Sequence, residues 1–288
     1  MHIRPLTPSI GAEINGVDLA AVTPEQLADI KQALWTHQVV FFRGQARLAP
    51  EVQIAFAREF GPLHSHPAAP HLQGHPEVFV IHADEHSKVA NGNGWHTDVS
   101  CDEAPPLATM LQLHTVPESG GDTLFASMYA AFETLSKSMQ AFLSTLSARH
   151  ESEHIYRGRY ADRGVDDRNK VYPAATHPVV RTHPESGRQA LYVNPSFTTR
   201  VNGLTSEESD ALLALLFRHQ QRPEFQVRFQ WRENDVALWD NRCTQHFALW
   251  DYWPATRTGH RVTVLGERPY HQRAPSSQRH MKLAKARI

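Results

Sequence analysis

The chain has 288 residues, 41% hydrophobic and 20% charged, with a formal net charge of −1. It is long enough for one large or two small domains with a full core, and its charge excludes the overall basic field that nucleic acid or an anionic membrane would require. Two cysteines, Cys101 and Cys243, are too few for a disulfide framework, and neither a leader peptide nor a membrane span is visible, so a cytoplasmic protein is expected.

In chain order, Thr23-Pro24-Glu25-Gln26 opens a helix: Thr as N-cap, Pro at the first helical position, Gln closing a capping box. Val39-Val40-Phe41-Phe42 is apolar all round and reads as a buried strand. Pro50 to Phe60 is a second helix, stopped by Gly61-Pro62. Val78 to Ile81, Leu107 to His114 and Thr123 to Phe125 read as strands, and a helical insertion is expected from about Met128 to Leu146. The polar segment at about 156–176 has little periodicity and suggests a lid-like loop. Val179 to Thr182 and Gln189 to Asn194 flank a hairpin turn. Thr205-Ser206-Glu207-Glu208 is a second capping box. Phe225, Val227, Phe229 and Trp231 alternate with polar partners, and Val236 to Trp239 and Arg261 to Leu265 are further strands. Many short strands with a few helical insertions argue for one mainly β domain, a sandwich or barrel wrapped by helices, over about 1–270, followed by a basic tail at 271–288.

The stretch that carries chemistry is Gly94-Trp95-His96-Thr97-Asp98. Residues i and i+2 of an extended segment share a face, so His96 and Asp98 can take adjacent positions on one metal ion. With a distant third ligand they make the two-His, one-carboxylate set that leaves half an octahedron open, as non-haem Fe(II) oxygenases require. His246 is the candidate third ligand; the bland reading is a strand-end His bonded to backbone. Open positions need a cosubstrate, and a dicarboxylate such as 2-oxoglutarate needs a cation for its far end. Arg257 and Arg261 offer the planar fork suited to that task.

Trp95-His96-Thr97-Asp98, Gly120-Gly121-Asp122-Thr123, Trp239-Asp240-Asn241-Arg242, Gln245-His246 and the pair Arg257 and Arg261 resemble the Fe(II)/2-oxoglutarate dioxygenases of the taurine dioxygenase (TauD/TfdA) family. The likeness runs from about Leu6 to Pro269 and is nearest to the taurine and alkylsulfonate branch. It implies a double-stranded β-helix (jelly roll) flanked by α-helices, iron on His96, Asp98 and His246, and the far carboxylate of 2-oxoglutarate on Arg257 and Thr123. It also implies O₂ as co-reactant, a small anionic substrate and a dimer or tetramer. The implied reaction couples decarboxylation of 2-oxoglutarate to hydroxylation beside a sulfonate, which collapses to aldehyde and sulfite. The same likeness places His66 and Arg261 on the substrate oxyanion, with Tyr156, Phe197 and Val99 around the rest. The positions that serve the taurine amine are Ala69 and Gly92 here, and neither side chain can hydrogen-bond. An organosulfonate or sulfate ester with a larger or uncharged tail is therefore expected over taurine, with an aryloxyalkanoate as a carboxylate alternative.

Rival readings remain. His150-Glu151-Ser152-Glu153-His154 matches the zinc metalloprotease pattern, which works only on a helix. Cys101 and Cys243 could join His96 and His246 in a structural zinc site. A jelly roll holding an anion without turnover is the non-enzyme alternative.

Overall fold

A strand apolar on both faces needs cover on both, and Val39–Phe42 has it. In the computed structural model, which describes residues 1–64, 71–158 and 169–272, this strand lies inside a nine-stranded sheet. Across that sheet run His2–Pro5, Ala12–Asn15, Val39–Phe42, Val236–Asp240, Ala108–Thr115, Arg257–Val264, His75–Ala83 and His71–Leu72, with Leu63–His64 also pairing Arg257–Val264. Among the described residues only the Ala12–Asn15 to Val39–Phe42 pairing is parallel.

One face of the sheet carries Val40, Phe42, Met110, Leu238 and Val262 against the helices Pro24–His37 and Pro50–Arg58. The other carries Phe41, Leu111 and Trp239 against a three-stranded sheet of Gln226–Phe229, Thr123–Ser127 and Thr244–Ala248. Phe41 stacks on Phe229 across this gap with ring centroids 3.9 Å apart. Burial of each such ring stabilises the fold by roughly 1.5–3 kcal/mol. The alternation expected around Val227 is present: Val227 and Phe229 are buried and Arg228 is exposed. Phe225 itself sits in a 3₁₀ turn, Pro223–Phe225. The result is a mostly β fold with helices on its outer faces, and both capping boxes are formed, Thr23 with Gln26 and Thr205 with Glu208.

Two expected elements differ. The helical insertion is two short helices, Met128–Glu133 and Lys137–Leu143. Ser136 caps the second by accepting from the Met139 N–H, while the Gln140 amide donates to the carbonyls of Phe132, Glu133 and Leu135. The break thus satisfies the carbonyls that a continuous helix would have used. The second difference is His150, which lies in the strand Ser147–Glu151. His154 lies in the separate short helix Glu153–Tyr156. The two cannot share a helical face, which removes the metalloprotease reading. Among the described residues no helix is long and apolar enough to cross a membrane. His66, Ala69, residues 159–168 of the expected lid and the basic tail from 273 onward lie outside the described residues.

Candidate metal centre between two cavities

His246 reaches His96 through backbone pairing. The two residues form an isolated antiparallel bridge: His96 N–H donates to His246 O at 3.1 Å, and His246 N–H to His96 O at 2.8 Å. Cross-strand partners place their side chains on one face, and the imidazole centroids are 4.1 Å apart. Beyond that bridge the chain turns rather than running on as a strand, and the turn brings Asp98 beneath both rings. Its Oδ1 is 3.7 Å from Nε2 of His96 and 3.7 Å from Nε2 of His246. The residue after it, Val99, has φ 33°, a left-handed conformation that costs a β-branched residue of order 1–3 kcal/mol and is held only where its surroundings impose it.

The orientation of each donor has a visible cause. His96 Nδ1 lies 2.8 Å from the Gly94 carbonyl, and a proton placed there leaves the Nε2 lone pair free. Oδ2 of Asp98 accepts from Thr109 Oγ1 at 2.8 Å and Arg261 Nη2 at 2.7 Å, which turns Oδ1 toward the imidazoles. Thr109 is itself held by the Asn241 amide at 2.9 Å, and Asn241 accepts from Trp239 Nε1 at 3.0 Å. Trp239 also packs on the His246 ring, centroids 4.8 Å apart. Asp240 meanwhile binds Arg242 at 2.7 Å and His183 at 2.9 Å. Those bonds engage the carboxylate and the imidazole of a second close donor group among the described residues, His183, Asp240 and Cys243, and fix the turn that leads into Thr244–Ala248. The Trp239-Asp240-Asn241-Arg242 run is therefore the frame behind the triad.

The electrostatics are consistent. Burial of the Asp98 carboxyl disfavours its charge, but Arg261, His246 and His96 outweigh that and hold it below the usual carboxylate range. Burial keeps both His96 and His246 below the usual histidine value. Two imidazoles held toward their neutral form and one carboxylate, all within 4.8 Å of one another, can serve together as a donor set.

A cavity opens on each side of this group. The inner one, about 50 Å³, is lined by His246, Thr123, Arg257, Trp231 and Trp239 among others. Arg257 is 3% exposed; its Nε donates to Gly121 O at 3.2 Å and its Nη2 to Thr123 Oγ1 at 3.4 Å. Gly121 permits that seat: with φ +71°, an added Cβ would lie 2.9 Å from Pro117 Cγ and 3.3 Å from Arg257 Cδ. The outer cavity, about 210 Å³, is lined by Asp98, Val99, Tyr156, Phe197 and Arg261 among others. His96, Asn91, Gly92 and Arg261 line both.

A family model described as "Taurine catabolism dioxygenase TauD, TfdA family" matches residues 2–263. The chain belongs to this family of dioxygenases. It is 37% identical over 275 residues to an alkylsulfatase of Acinetobacter baylyi, covering 93% of this chain and 86% of that protein. It is 38% identical over 280 residues to an alpha-ketoglutarate-dependent sulfate ester dioxygenase of Pseudomonas putida, covering 93% and 91%. Among solved structures, a taurine dioxygenase from Burkholderia xenovorans matches with a TM-score of 0.82 and 39% identity, covering 94% of this chain and 91% of that one.

The TauD/TfdA motifs read from the sequence converge: His96, Asp98 and His246 at one point, Thr123 and Arg257 in the inner cavity, Val99, Tyr156, Phe197 and Arg261 in the outer. His66 lies outside the described residues. Cys101 and Cys243 are both buried and free, and neither belongs to the His96–His246 group, so the zinc alternative is not formed. One expectation changes. Gly92 is at the wall between the cavities, where an added Cβ would lie 3.3 Å from His96 Cε1, so its lack of a side chain makes room for the His96 ring as well as for the contents of the outer cavity. Its neighbours Asn91 and Asn93 line the outer cavity, as does Glu77, so that cavity is less apolar than residue 92 alone suggests. Sequence reasoning missed Thr109 and Trp231. Trp231 Nε1 donates to Thr123 Oγ1 at 3.0 Å, yet in the sequence it was one more apolar position on an alternating strand.

Proposed function

We propose that this dioxygenase uses Fe(II) and 2-oxoglutarate to hydroxylate the carbon next to a sulfur oxyanion, with an organosulfonate as substrate. The observation that carries this is one largely buried nitrogen–nitrogen–oxygen donor set standing between two cavities, with Arg257 in the inner one and Arg261 on the wall the two share. Facing each other across a shared core, the nine-stranded and three-stranded sheets support a double-stranded β-helix, the jelly roll, as the scaffold.

In this reading Nε2 of His96, Nε2 of His246 and Oδ1 of Asp98 hold the ion. Hard and borderline donors without a thiolate suit Fe(II). A ferrous ion with bound 2-oxoglutarate supplies O₂ activation and the oxidising power for the C–H bond. Arg257 and Thr123 bind the far carboxylate of 2-oxoglutarate in the inner cavity, where burial strengthens the charge-assisted bonds. Trp231 and Trp239 keep water from that end. Arg261 orients the substrate headgroup, together with His66, and Val99, Tyr156 and Phe197 bound the rest of the substrate. The balance is one sulfonate, O₂ and 2-oxoglutarate in, with aldehyde, sulfite, succinate and CO₂ out.

A sulfate ester is the second reading, favoured by the names of the two relatives above: the headgroup has the same charge and three terminal oxygens, and its hydroxylated product releases sulfate. Incubation with Fe(II), 2-oxoglutarate and air against hexanesulfonate, hexyl sulfate and taurine, scoring succinate, sulfite and sulfate, tests both. Sulfite from hexanesulfonate supports the first reading and sulfate from hexyl sulfate the second. Substrate-dependent succinate from none of a broad set of sulfonates and sulfate esters rejects both.

A further inference from the structure

Two anions compete for the guanidinium of Arg261. Its Nη2 already donates to Oδ2 of Asp98 at 2.7 Å, and its Nε to Thr263 Oγ1 at 3.3 Å. It is also the one arginine or lysine among the described residues that line the outer cavity. The Asp98 side chain is 4% exposed, against 18% for Arg261, so this ion pair is poorly screened by water. Without a metal ion, Asp98 is a carboxylate whose formal cation is Arg261. An oxyanion entering the outer cavity must then share that cation and face the Asp98 charge at short range, which is repulsive. A divalent ion at Oδ1 reverses this: the carboxylate charge is neutralised and the guanidinium can turn its remaining donors to the cavity.

We propose that Asp98 occludes Arg261 until a divalent cation takes over the carboxylate, so that the oxyanion headgroup binds only after the metal. The inference rests on the reading of His96, Asp98 and His246 as metal ligands. Its consequence is reciprocal: metal and oxyanion strengthen each other's binding by one common factor. Metal-free molecules then do not sequester substrate.

Any dication attracts an anion, so a coupling in the wild type alone does not decide the matter. The deciding variants remove the Asp98 charge with no metal present: Asp98→Asn and Asp98→Ala, each checked for folding by circular dichroism. The probe is inorganic sulfate, titrated calorimetrically into the whole protein, metal-free or with Mn(II). In the wild type, sulfate binds at least about tenfold tighter with Mn(II), inside the common range of about 5–150-fold for coupled sites. Metal-free Asp98→Asn or Asp98→Ala binds sulfate about tenfold tighter than metal-free wild type, and adding Arg261→Gln abolishes that gain. If a folded, metal-free Asp98 variant binds sulfate no better than wild type, occlusion is wrong, while the ligand assignment stands provided Mn(II) binding is lost in that variant. If Mn(II) binds the wild type and the Asp98 variants alike, the ligand assignment fails and takes the inference with it.

Discussion

Arg257 and Arg261 leave one strand four residues apart and line the same inner cavity, yet their surroundings differ. Arg257 is buried, seated on the Gly121 carbonyl and Thr123, and no carboxylate pairs with it among the described ion pairs. Burial pulls it below the ordinary arginine value. Arg261 is partly open to the outer cavity and already bound to Asp98. A buried cation with no carboxylate bonded to it is costly unless one arrives, so the first arginine suits a dedicated anion that completes the site. The second has its charge balanced before any ligand comes, and suits an anion that must come and go.

If that distinction is right, the two positions respond differently to the same substitution, and Arg257 responds more. Arg257→Ala should raise the 2-oxoglutarate concentration for half-saturation by some thirtyfold or more, corresponding to about 2 kcal/mol or more for a buried charge-assisted pair. Half-saturation by sulfonate or sulfate ester should barely move. Steady-state kinetics with each substrate varied in turn checks this; an unchanged 2-oxoglutarate requirement would break the comparison at its stronger end. Arg261→Lys should show the reverse pattern with a smaller effect, about tenfold on the organosulfur substrate, because lysine keeps the charge but loses the fork that spans Asp98 and the headgroup. Equal effects of both variants on both substrates would mean that the two arginines serve one anion.

Much of this division was legible in the sequence, and the reason is local. His96 and Asp98, the Gly120-Gly121-Asp122-Thr123 run and the Trp239-to-His246 run each carry their chemistry within a few residues. Likewise the capping boxes at Thr23 and Thr205 announced two helices by their own hydrogen bonds. What could not be read depended on contacts across the chain. Thr109 lies near the start of a buried strand, Ala108–Thr115, and acquires its role only because Asn241, 132 positions later, holds it against Asp98. His150 sits in helix-compatible sequence but is claimed by pairing with Ala175 and Thr198 on either side, and such tertiary pairing overrides a local pattern. The break at Ser136 was signalled only by a capping serine inside an apolar period.

A gentler test concerns Trp231. Trp231→Phe keeps the ring beside Arg257 but removes the donor to Thr123 Oγ1. One neutral hydrogen bond is worth about 0.5–1.5 kcal/mol, so the 2-oxoglutarate requirement should rise only a few-fold, with no change for the organosulfur substrate. A change in the latter instead would show that the inner wall also shapes the outer cavity.

The smallest effect expected sharpens the comparison in another way. Burial holds the His96 and His246 rings below the ordinary histidine value. A group whose folded pKa is depressed stays neutral as pH falls through its unfolded value and protonates only further down. Mn(II) affinity should therefore fall less steeply from pH 7.5 to 5.5 than the roughly hundredfold that two exposed histidines of pKa about 6.5 would lose. Arg261 is among the charges that depress both rings and Asp98, and Arg257 is not. Arg261→Gln should thus move the acid limit of Mn(II) binding upward, by less than about one pH unit, while Arg257→Gln leaves it in place. Equal shifts from the two variants would make the arginines interchangeable sources of positive field, and the contrast between a sealed cation and a shared one would be lost.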